Sequence, residues 1–459
     1  MKAPRIMIAA AGSGSGKTFI TCALLQVLND MGKKAAAFKC GPDYIDPMFH
    51  KKVLGIPSKN LDTFFTEEEL TKALFLEDAE GKDISVIEGV MGLFDGLGGI
   101  REEASSYHLA KVIKAPVILV IDAHGMGRSL LPLIAGFLQY DREHLIRGVI
   151  LNKITKTFYE AVKPEIEREL PVKLLGYFPR QTELHMESRH LGLKLPGETE
   201  DLQSRIKKAA EIMKASLDME ELFALAEGAE ALEKGPSCLH TGTVFAGTKQ
   251  VPVGIAMDEA FCFYYEDNLR LLRKAGAVLI PFSPLRDKKL PEGIGGFLLG
   301  GGYPELHAEI LSENREMKAS VLHAVKQGMP SIAECGGFMY LHERMEGPEQ
   351  KSCQMVGAVK GECYYTGRPV RFGYVEIQEK NNVFPGNGKT IRGHEFHYFD
   401  STNNGSGCIA SKPVSGKNWE CIHAAENYWW GFPHLYYYSN PQYAYHFIER
   451  AMEYADGKR

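Results

Sequence analysis

One stretch near the start of the sequence combines residue types that can hold the phosphates of a nucleotide. Residues 11–18 read Ala-Gly-Ser-Gly-Ser-Gly-Lys-Thr, directly after an apolar run and directly before an amphipathic one. In that context glycines let backbone N–H groups point at phosphate oxygens, a lysine reaches the terminal phosphates, and a hydroxyl binds Mg²⁺. Ala11 stands where the usual motif has its first glycine. The expected nucleotide contacts are Gly12, Ser13, Gly14, Ser15, Gly16, Lys17 and Thr18.

Carboxylates follow two further apolar runs and could complete a metal site. Glu88 ends the run Ile84–Glu88, and Asp95 lies in the glycine-rich stretch after it. A second run ends near Lys39 and leads into a loop rich in proline and acidic residues. Ligands of open α/β sheets bind outside the carboxyl ends of the strands. We therefore expect Mg²⁺ to be held by Thr18, Glu88 and Asp46. Contacts with phosphate or substrate are expected from Lys39, Asp43, Tyr44 and Asp95.

A cysteine in the second half has the surroundings of a nucleophile. The strand-like run Pro330–Ala333 leads through Glu334 to Cys335, and two glycines and a helical pattern follow. A tight strand-to-helix turn exposes a side chain, and a helix N-terminus lowers the pKa of a thiol. Most lone cysteines are buried structural residues, but the glycine context favours the nucleophile. Backbone N–H groups that could stabilise an oxyanion are expected from Gly301, Gly302 and Gly336.

Three histidines could serve as the base for this thiol. His434 follows an aromatic-rich segment about a hundred residues after the cysteine, as in Cys–His pairs whose members lie on separate elements. His394 and His397 are rival bases, and the spacing alone does not separate the three.

The elements that must position these residues alternate along the chain. Apolar strand-like runs and amphipathic helical stretches follow one another through the first 200 residues and again from Val253. This alternation predicts parallel sheets covered by helices. A helical, charged segment and a polar linker separate the two patterns. We therefore predict two α/β domains, a phosphate-loop domain at 1–235 and a second domain at 250–459.

The composition excludes several classes of protein. The chain has 459 residues, of which 44% are hydrophobic and 24% charged, which is typical of globular proteins. A net charge of −5 gives no sign of a nucleic-acid partner. No apolar run approaches the roughly 20 residues of a membrane helix. The nine cysteines form no closely spaced pair, which argues against a zinc site and a disulfide framework and favours a reducing cytoplasm.

Taken together, the motifs resemble the cobyrinate a,c-diamide synthase family, the glutamine-dependent amidases of corrinoid biosynthesis. The resemblance extends over nearly the whole chain. Its longest matching stretches are FKCGPDYIDPMFH at 38–50, VIEGVMGLFDG at 86–96, LGGGYPELHA at 299–308, AECGGFMYL at 333–341 and GHEFHY at 393–398.

The resemblance implies a fold, a reaction and several residue roles. The first domain would be similar to dethiobiotin synthetase and the second to class I glutamine amidotransferases. Cys335 would release ammonia from glutamine with help from His434, and ATP would convert peripheral acetates of the macrocycle into acyl phosphates. The family often has a second histidine two positions after the activating one, where this chain has Tyr436. Arg189 is expected to hold carboxylates of the tetrapyrrole.

The resemblance also implies partners and a route for ammonia. The expected partners are small molecules: ATP with Mg²⁺, glutamine and the corrinoid, with the oligomeric state left open, a homodimer included. Ammonium is not a nucleophile, so ammonia needs a shielded route, and we expect the two sites to face each other across the domain boundary.

Other readings of the sequence stay open. Ni-sirohydrochlorin and hydrogenobyrinate would undergo the same chemistry, and the motifs do not separate these macrocycles. The related cobyric acid synthase amidates other side chains, and its motifs are less similar. An alternative function of a different class is a regulatory phosphate-loop ATPase with an inert appended domain. Evidence against it comes from Cys335, His434 and the Gly300–Gly302 loop.

Overall fold

The computed structural model of the protein describes residues 1–180, 188–189, 192–193, 202–233, 249–381, 383–384 and 388–457. The chain divides into two compact units, Met1–Thr241 and Gly242–Arg459. Within the described ranges, each helix is too short or too polar to cross a membrane. The eight cysteines that lie in these ranges are free thiols, whereas Cys238 is outside them.

The first unit is built on one parallel sheet. Its strands are β1 (Arg5–Ala10), β2 (Ala35–Cys40), β3 (Ser58–Leu61), β4 (Ile84–Glu88), β5 (Val117–Asp122), β6 (Ile146–Asn152) and β7 (Lys173–Phe178). Their spatial order is β3-β2-β4-β1-β5-β6-β7. Every residue of β1, β2 and β4 is buried, as expected for strands covered on both faces. A separate pair of two-residue strands, β8 (Ser188–Arg189) and β9 (Gly192–Leu193), is antiparallel.

Eight helices accompany this sheet in the described part of the first unit. They are α1 (Lys17–Asp30), α2 (Ile45–Leu54), α3 (Glu68–Ala79), α4 (Ser106–Val112), α5 (Leu130–Tyr140), α6 (Lys156–Glu169), α7 (Leu202–Ser216) and α8 (Met219–Glu227). The predicted alternation of strands and helices is confirmed. Because β1, β2 and β4 are neighbours and parallel, the loops after them meet at one edge of the sheet.

The second unit contains two sheets. The first has strands β10 (Val251–Ala256), β11 (Ala277–Phe282), β12 (Gly296–Leu299), β13 (Ser331–Glu334), β20 (His423–Ala425) and β21 (Tyr428–Gly431). Its order is β11-β10-β12-β13-β21-β20, and only the β20–β21 pairing is antiparallel.

The other sheet of the second unit is mostly antiparallel. It contains β14 (His342–Glu346), β15 (Ser352–Gln354), β16 (Val359–Glu379), β17 (Ile391–Ser401), β18 (Cys408–Ser411), β19 (Asn418–Cys421) and β22 (His434–Leu435). The main path runs β15-β14-β16-β17-β22, and β18 and β19 extend from β16. The chain thus passes from the first sheet at β21 to the second sheet at β22.

Five helices complete the described part of the second unit. They are α9 (Glu266–Lys274), α10 (Ala308–Glu313), α11 (Arg315–Lys326), α12 (Gly336–Leu341) and α13 (Gln442–Ala455). Buried apolar side chains such as Phe297, Phe338 and Phe432 belong to one core cluster that contacts both sheets. Strand β13 and helix α12 meet at Cys335, within this core.

Candidate active site

The loop at residues 11–16 has the backbone that a phosphate-binding loop needs. Gly14 and Gly16 have φ values of 77° and 92°, which favour glycine. Asn152, at the end of β6, donates from Nδ2 to the carbonyl oxygen of Ser15 at 2.9 Å. A Cβ atom on Gly16 would lie 2.5 Å from that same nitrogen. The loop is therefore held closely by β6 and requires glycine at position 16.

Lys17 and Thr18 begin α1 and point their polar atoms into this loop. Lys17 Nζ donates to the carbonyl oxygen of Gly12 at 3.2 Å and also to that of Met91. Burial lowers the pKa of Lys17 to about 8, and the charge of Lys39 acts in the same direction. The Thr18 hydroxyl donates to Glu88 Oε1 at 2.5 Å. The motif residue and the first predicted carboxylate are thus in direct contact.

Glu88, Asp46 and Lys39 form a buried charged cluster beside Thr18. Lys39 Nζ lies 2.5 Å from Asp46 Oδ2 and 2.9 Å from Glu88 Oε1. Burial alone would raise the pKa of Glu88, but Lys39 and the contacts with His50 and Thr18 hold it below its usual range. Burial and the neighbouring Asp43 and Glu88 raise the pKa of Asp46. Two buried carboxylates therefore share one ammonium group.

His50 belongs to the same cluster, although the sequence analysis assigned it no role. Its Nε2 lies 3.3 Å from Glu88 Oε2, and its Nδ1 lies 2.9 Å from the Ser58 hydroxyl. The side chains of His50 and Glu88 are fully buried. The signal was present, since His50 closes the stretch at 38–50, but nothing in that pattern pairs it with Glu88.

Other residues predicted to contact phosphate or substrate shape the loops at this edge. Asp43 Oδ1 accepts from the backbone N–H groups of Ile45 and Asp46 at 2.7 and 3.2 Å. Asp95 Oδ2 accepts from the N–H of Gly92 at 2.9 Å. Tyr44 directly precedes α2. The side chain of Arg189 lies outside the described residues.

The oxygen atoms around Thr18 fit a magnesium ion. Thr18 Oγ1 lies 2.5 Å from Glu88 Oε1 and 3.4 Å from Asp46 Oδ2, so three oxygen donors converge. Among the described residues, no cluster of three His, Cys, Asp or Glu side chains could bind a metal ion by itself. Mg²⁺ commonly takes one or two carboxylates and completes its shell with phosphate oxygens and water. This donor set therefore suits Mg²⁺ brought in with a nucleotide.

Cys335 occupies a strained turn between β13 and α12. Its φ and ψ are 47° and −105°, a region that costs energy for any residue other than glycine. The side chain is only 6% exposed. We expected a helix N-terminus to lower the thiol pKa, but burial, with Glu305 acting in the same direction, raises it above the usual range. The Gly336 N–H opposes this effect without overcoming it, because α12 is a short helix in an apolar core.

The glycines predicted to stabilise an oxyanion have close neighbours in the second unit. A Cβ atom on Gly336 would lie 3.3 Å from the backbone nitrogen of Gly302, so these two glycines are close neighbours. A Cβ atom on Gly301 would lie 2.4 Å from Cε1 of His434. Gly302 has φ 153° and packs on the carbonyl oxygen of Ala260. The structure thus places Gly301 beside His434, and Gly302 beside Gly336, the residue that directly follows Cys335.

His434 is buried and faces Glu334. Burial lowers the pKa of His434 to about 3. Its Nδ1 lies 4.0 Å from Glu334 Oε2, a contact that the sequence did not reveal. Tyr436, two positions later, instead donates from its hydroxyl to Asp267 Oδ2 at 2.8 Å.

The two rival histidines lie on β17. Both ring nitrogens of His397 have partners, since Nδ1 is 2.6 Å from the Phe399 carbonyl oxygen and Nε2 is 2.7 Å from Glu395 Oε2. His394 is paired with His434 in the β17–β22 register, and burial lowers its pKa to about 3. Of the three, His434 is the histidine that contacts the glycine loop at Gly301.

Comparison with protein families agrees with this division of the chain into two sites. Residues 6–193 match the model of the CobQ/CobB/MinD/ParA nucleotide binding domain. Residues 252–427 match the model of the CobB/CobQ-like glutamine amidotransferase domain. The predicted fold class, a phosphate-loop α/β domain fused to an amidotransferase-like α/β domain, is confirmed.

Curated relatives match the chain along almost all of its length. A cobyrinate a,c-diamide synthase of Caldanaerobacter subterraneus subsp. tengcongensis is 40% identical, over 98% of this chain and 98% of the relative. Synthases of the same name from Listeria innocua and Fusobacterium nucleatum are 39% and 38% identical, over 95% and 97% of this chain and 97% and 99% of theirs. The chain belongs to the cobyrinate a,c-diamide synthase family of glutamine-hydrolysing amide ligases.

Proposed function

We propose that the protein amidates the a and c acetate groups of cobyrinate in cobalamin biosynthesis, using ATP and glutamine. The observation that carries this proposal is the match to named synthases across 98% of the chain, which includes both candidate sites. A regulatory ATPase with an inert second domain would have no use for a strained cysteine beside a glycine loop and a buried histidine.

Glutamine is hydrolysed in the second unit. The Cys335 sulfur attacks the side-chain amide carbon while His434 takes the thiol proton and later returns it to the departing ammonia. Backbone N–H groups of Gly302 and Gly336 stabilise the oxyanion. Water then releases glutamate from the acyl-enzyme. Because burial keeps the free thiol protonated, the proton passes to His434 only after glutamine has bound.

The carboxylate is activated in the first unit. The γ-phosphoryl group of ATP passes to an acetate oxygen, ADP leaves, and ammonia then displaces phosphate from the acyl phosphate. Lys17 and the loop at 11–16 hold the terminal phosphates. Thr18, Glu88 and Asp46 would hold Mg²⁺, which would neutralise charge on the transferred phosphoryl group. We assign Lys39, whose ammonium group lies beside Glu88 and Asp46, the role of neutralising the same charge.

We assign the binding of the tetrapyrrole carboxylates to Arg189, so Arg189→Ala should raise the KM for the macrocycle severalfold, and an unchanged KM would argue against this role.

Ammonia passes to the acyl phosphate without mixing with the solvent. With nitrogen-15 glutamine and an excess of unlabelled ammonium below pH 7, the amide should carry mainly the label.

Mass spectrometry of the products tests the proposal directly. The protein is incubated with ATP, Mg²⁺, glutamine and one macrocycle at a time: cobyrinate, hydrogenobyrinate or Ni-sirohydrochlorin. We expect two amides on cobyrinate, with one ADP, one phosphate and one glutamate released for each. Faster diamidation of either other macrocycle would reassign the substrate, and release of no glutamate with any of them would refute the glutamine-dependent function.

A further inference from the structure

In the proposed Cys335–His434 pair, a further side chain must orient the ring of His434. Tyr436, at the position where the family often has another histidine, does not orient His434, because its hydroxyl donates to Asp267. Glu334, in contrast, faces the ring of His434. It is the last residue of β13, directly before Cys335, and its Oε2 lies 4.0 Å from His434 Nδ1.

We propose that Glu334 is the positioning residue for His434, so that the Nδ1 side of the ring faces this carboxyl group and Nε2 is left to take the proton of Cys335. The assignment rests on the glutaminase function proposed above. Hydrogen bonds of catalytic groups are often long before the substrate binds, and a rotation of either side chain would close a gap of this size.

The contacts of Glu334 fix its carboxyl group relative to both members of the pair. The Tyr437 hydroxyl donates to Oε1 at 3.3 Å, and the backbone N–H of Leu435 also donates to the carboxyl group. Glu334 and Tyr437 line a small cavity under the glycine loop at Gly300. The carboxyl group thus joins the strand of the nucleophile, in one sheet, to the strand of His434, in the other.

The pKa values of Glu334 and His434 also support the positioning role of Glu334. Burial raises the pKa of Glu334 to about 8 and lowers that of His434 to about 3, so burial disfavours the charged form of each group when the other is neutral. When the Sγ–H bond of Cys335 breaks, the electron pair stays on sulfur and the proton forms a bond with Nε2. The buried imidazolium that results is stabilised by a carboxyl group on its other side.

Replacement of Glu334 tests the assignment. Glu334→Gln keeps the shape and a hydrogen-bonding side chain but cannot ionise, so it cannot place a negative charge beside the imidazolium. We expect the kcat for glutamine hydrolysis to fall about 100-fold with a KM within about twofold of wild type. Amidation driven by ammonium chloride should stay at the wild-type rate, which shows that the variant is folded. Glu334→Asp, which restores an ionisable carboxyl group with a shorter reach, should recover part of the lost kcat.

Tyr436→Phe is the matched control, because it removes a buried hydroxyl from the same segment without touching Glu334. It should keep the wild-type kcat for glutamine. A Glu334→Gln variant with wild-type kcat, or a Tyr436→Phe variant with the larger loss, would overturn the assignment while the proposed function stands. A wild-type protein that hydrolyses no glutamine would overturn the proposed function itself, and this assignment with it.

Discussion

At the scale of single residues, the first site is organised around charges that are buried together. Lys39 has its ammonium group between Glu88 and Asp46, and its side chain is only 5% exposed. Removing one member of a buried ion pair leaves the other charges without compensation, which costs far more than the loss of an exposed pair. Lys39 therefore stabilises the two carboxylates as long as no metal ion is bound near them.

Replacement of Lys39 tests how much its ion pairs with Glu88 and Asp46 stabilise the fold. We expect Lys39→Met to lower the free energy of unfolding by about 3–5 kcal/mol, as for other broken buried pairs. Added Mg²⁺ should restore part of the loss, because it binds the same carboxylates in the folded state. Urea denaturation with and without Mg²⁺ measures both effects.

Lys72→Met is the control for this prediction, since Lys72 forms an ion pair with Glu69 on the surface of α3. Its loss should cost no more than about 1 kcal/mol, with no response to Mg²⁺. Equal losses for Lys39→Met and Lys72→Met would contradict the account of the buried cluster.

At the scale of secondary-structure elements, both sites depend on glycines that follow a parallel strand. Gly16 lies against Asn152 at the end of β6, and Gly301 lies against His434. In each case a single methyl group would enter space that another side chain already fills. In the proposed function the two loops serve different half-reactions, so their substitution should separate those reactions.

Alanine at each glycine should therefore have opposite effects on the two activities. Gly16→Ala should reduce ATP-dependent amidation at least tenfold and leave glutamine hydrolysis intact, because the phosphate loop must shift. Gly301→Ala should reduce glutamine hydrolysis by a similar factor and leave ammonium-driven amidation intact. Gly136→Ala, where an added Cβ meets no atom within 4 Å, is the control for both assays. Loss of both activities in either variant would contradict this separation.

The sequence predicts those elements best that are apolar throughout. The runs at β1, β4 and β5 are buried at nearly every position, so their pattern is unmistakable. Strand β3 reads Ser-Lys-Asn-Leu and escaped prediction, because its polar residues are buried. Ser58 is hydrogen-bonded to His50, Lys59 is paired with Asp78, and Asn60 donates to the carbonyl oxygens of Gly41 and Asp43.

The second sheet of the second unit also escaped prediction. Along β17 buried and partly buried residues alternate, but the buried positions include Gly393, Glu395 and His397, so the alternation is not one of hydrophobicity. The contacts of His50 with Glu88 and of Glu334 with His434 were missed for a related reason. Each joins residues that only the tertiary fold brings together.

At the scale of the whole molecule, the second unit should be sensitive to acid. Burial lowers the pKa of His342 to about 4 and those of His394 and His434 to about 3. Between these values and about 6.5 the unfolded chain binds more protons than the folded one. Stability therefore falls as the pH decreases through this window, by up to about 1.4 kcal/mol per pH unit for each histidine.

Urea denaturation between pH 7 and pH 4 measures this dependence. His342, which lies 2.9 Å from the Phe338 carbonyl oxygen and 2.7 Å from the Ser401 hydroxyl, is the residue to replace. His342→Gln should make the pH dependence of the unfolding free energy shallower. His323→Gln, at an exposed position on α11, should leave it unchanged. A slope that is the same in all three proteins would refute the assignment.

In the proposed function the two units divide the chemistry, so each half-reaction should survive loss of the other. The most direct test is amidation of cobyrinate by Cys335→Ser with ATP and Mg²⁺, supplied with either glutamine or ammonium chloride. The account predicts no amide from glutamine, and amide formation at the wild-type rate from ammonium chloride. A Cys335→Ser protein that still uses glutamine, or a folded one that ammonium cannot rescue, would contradict it.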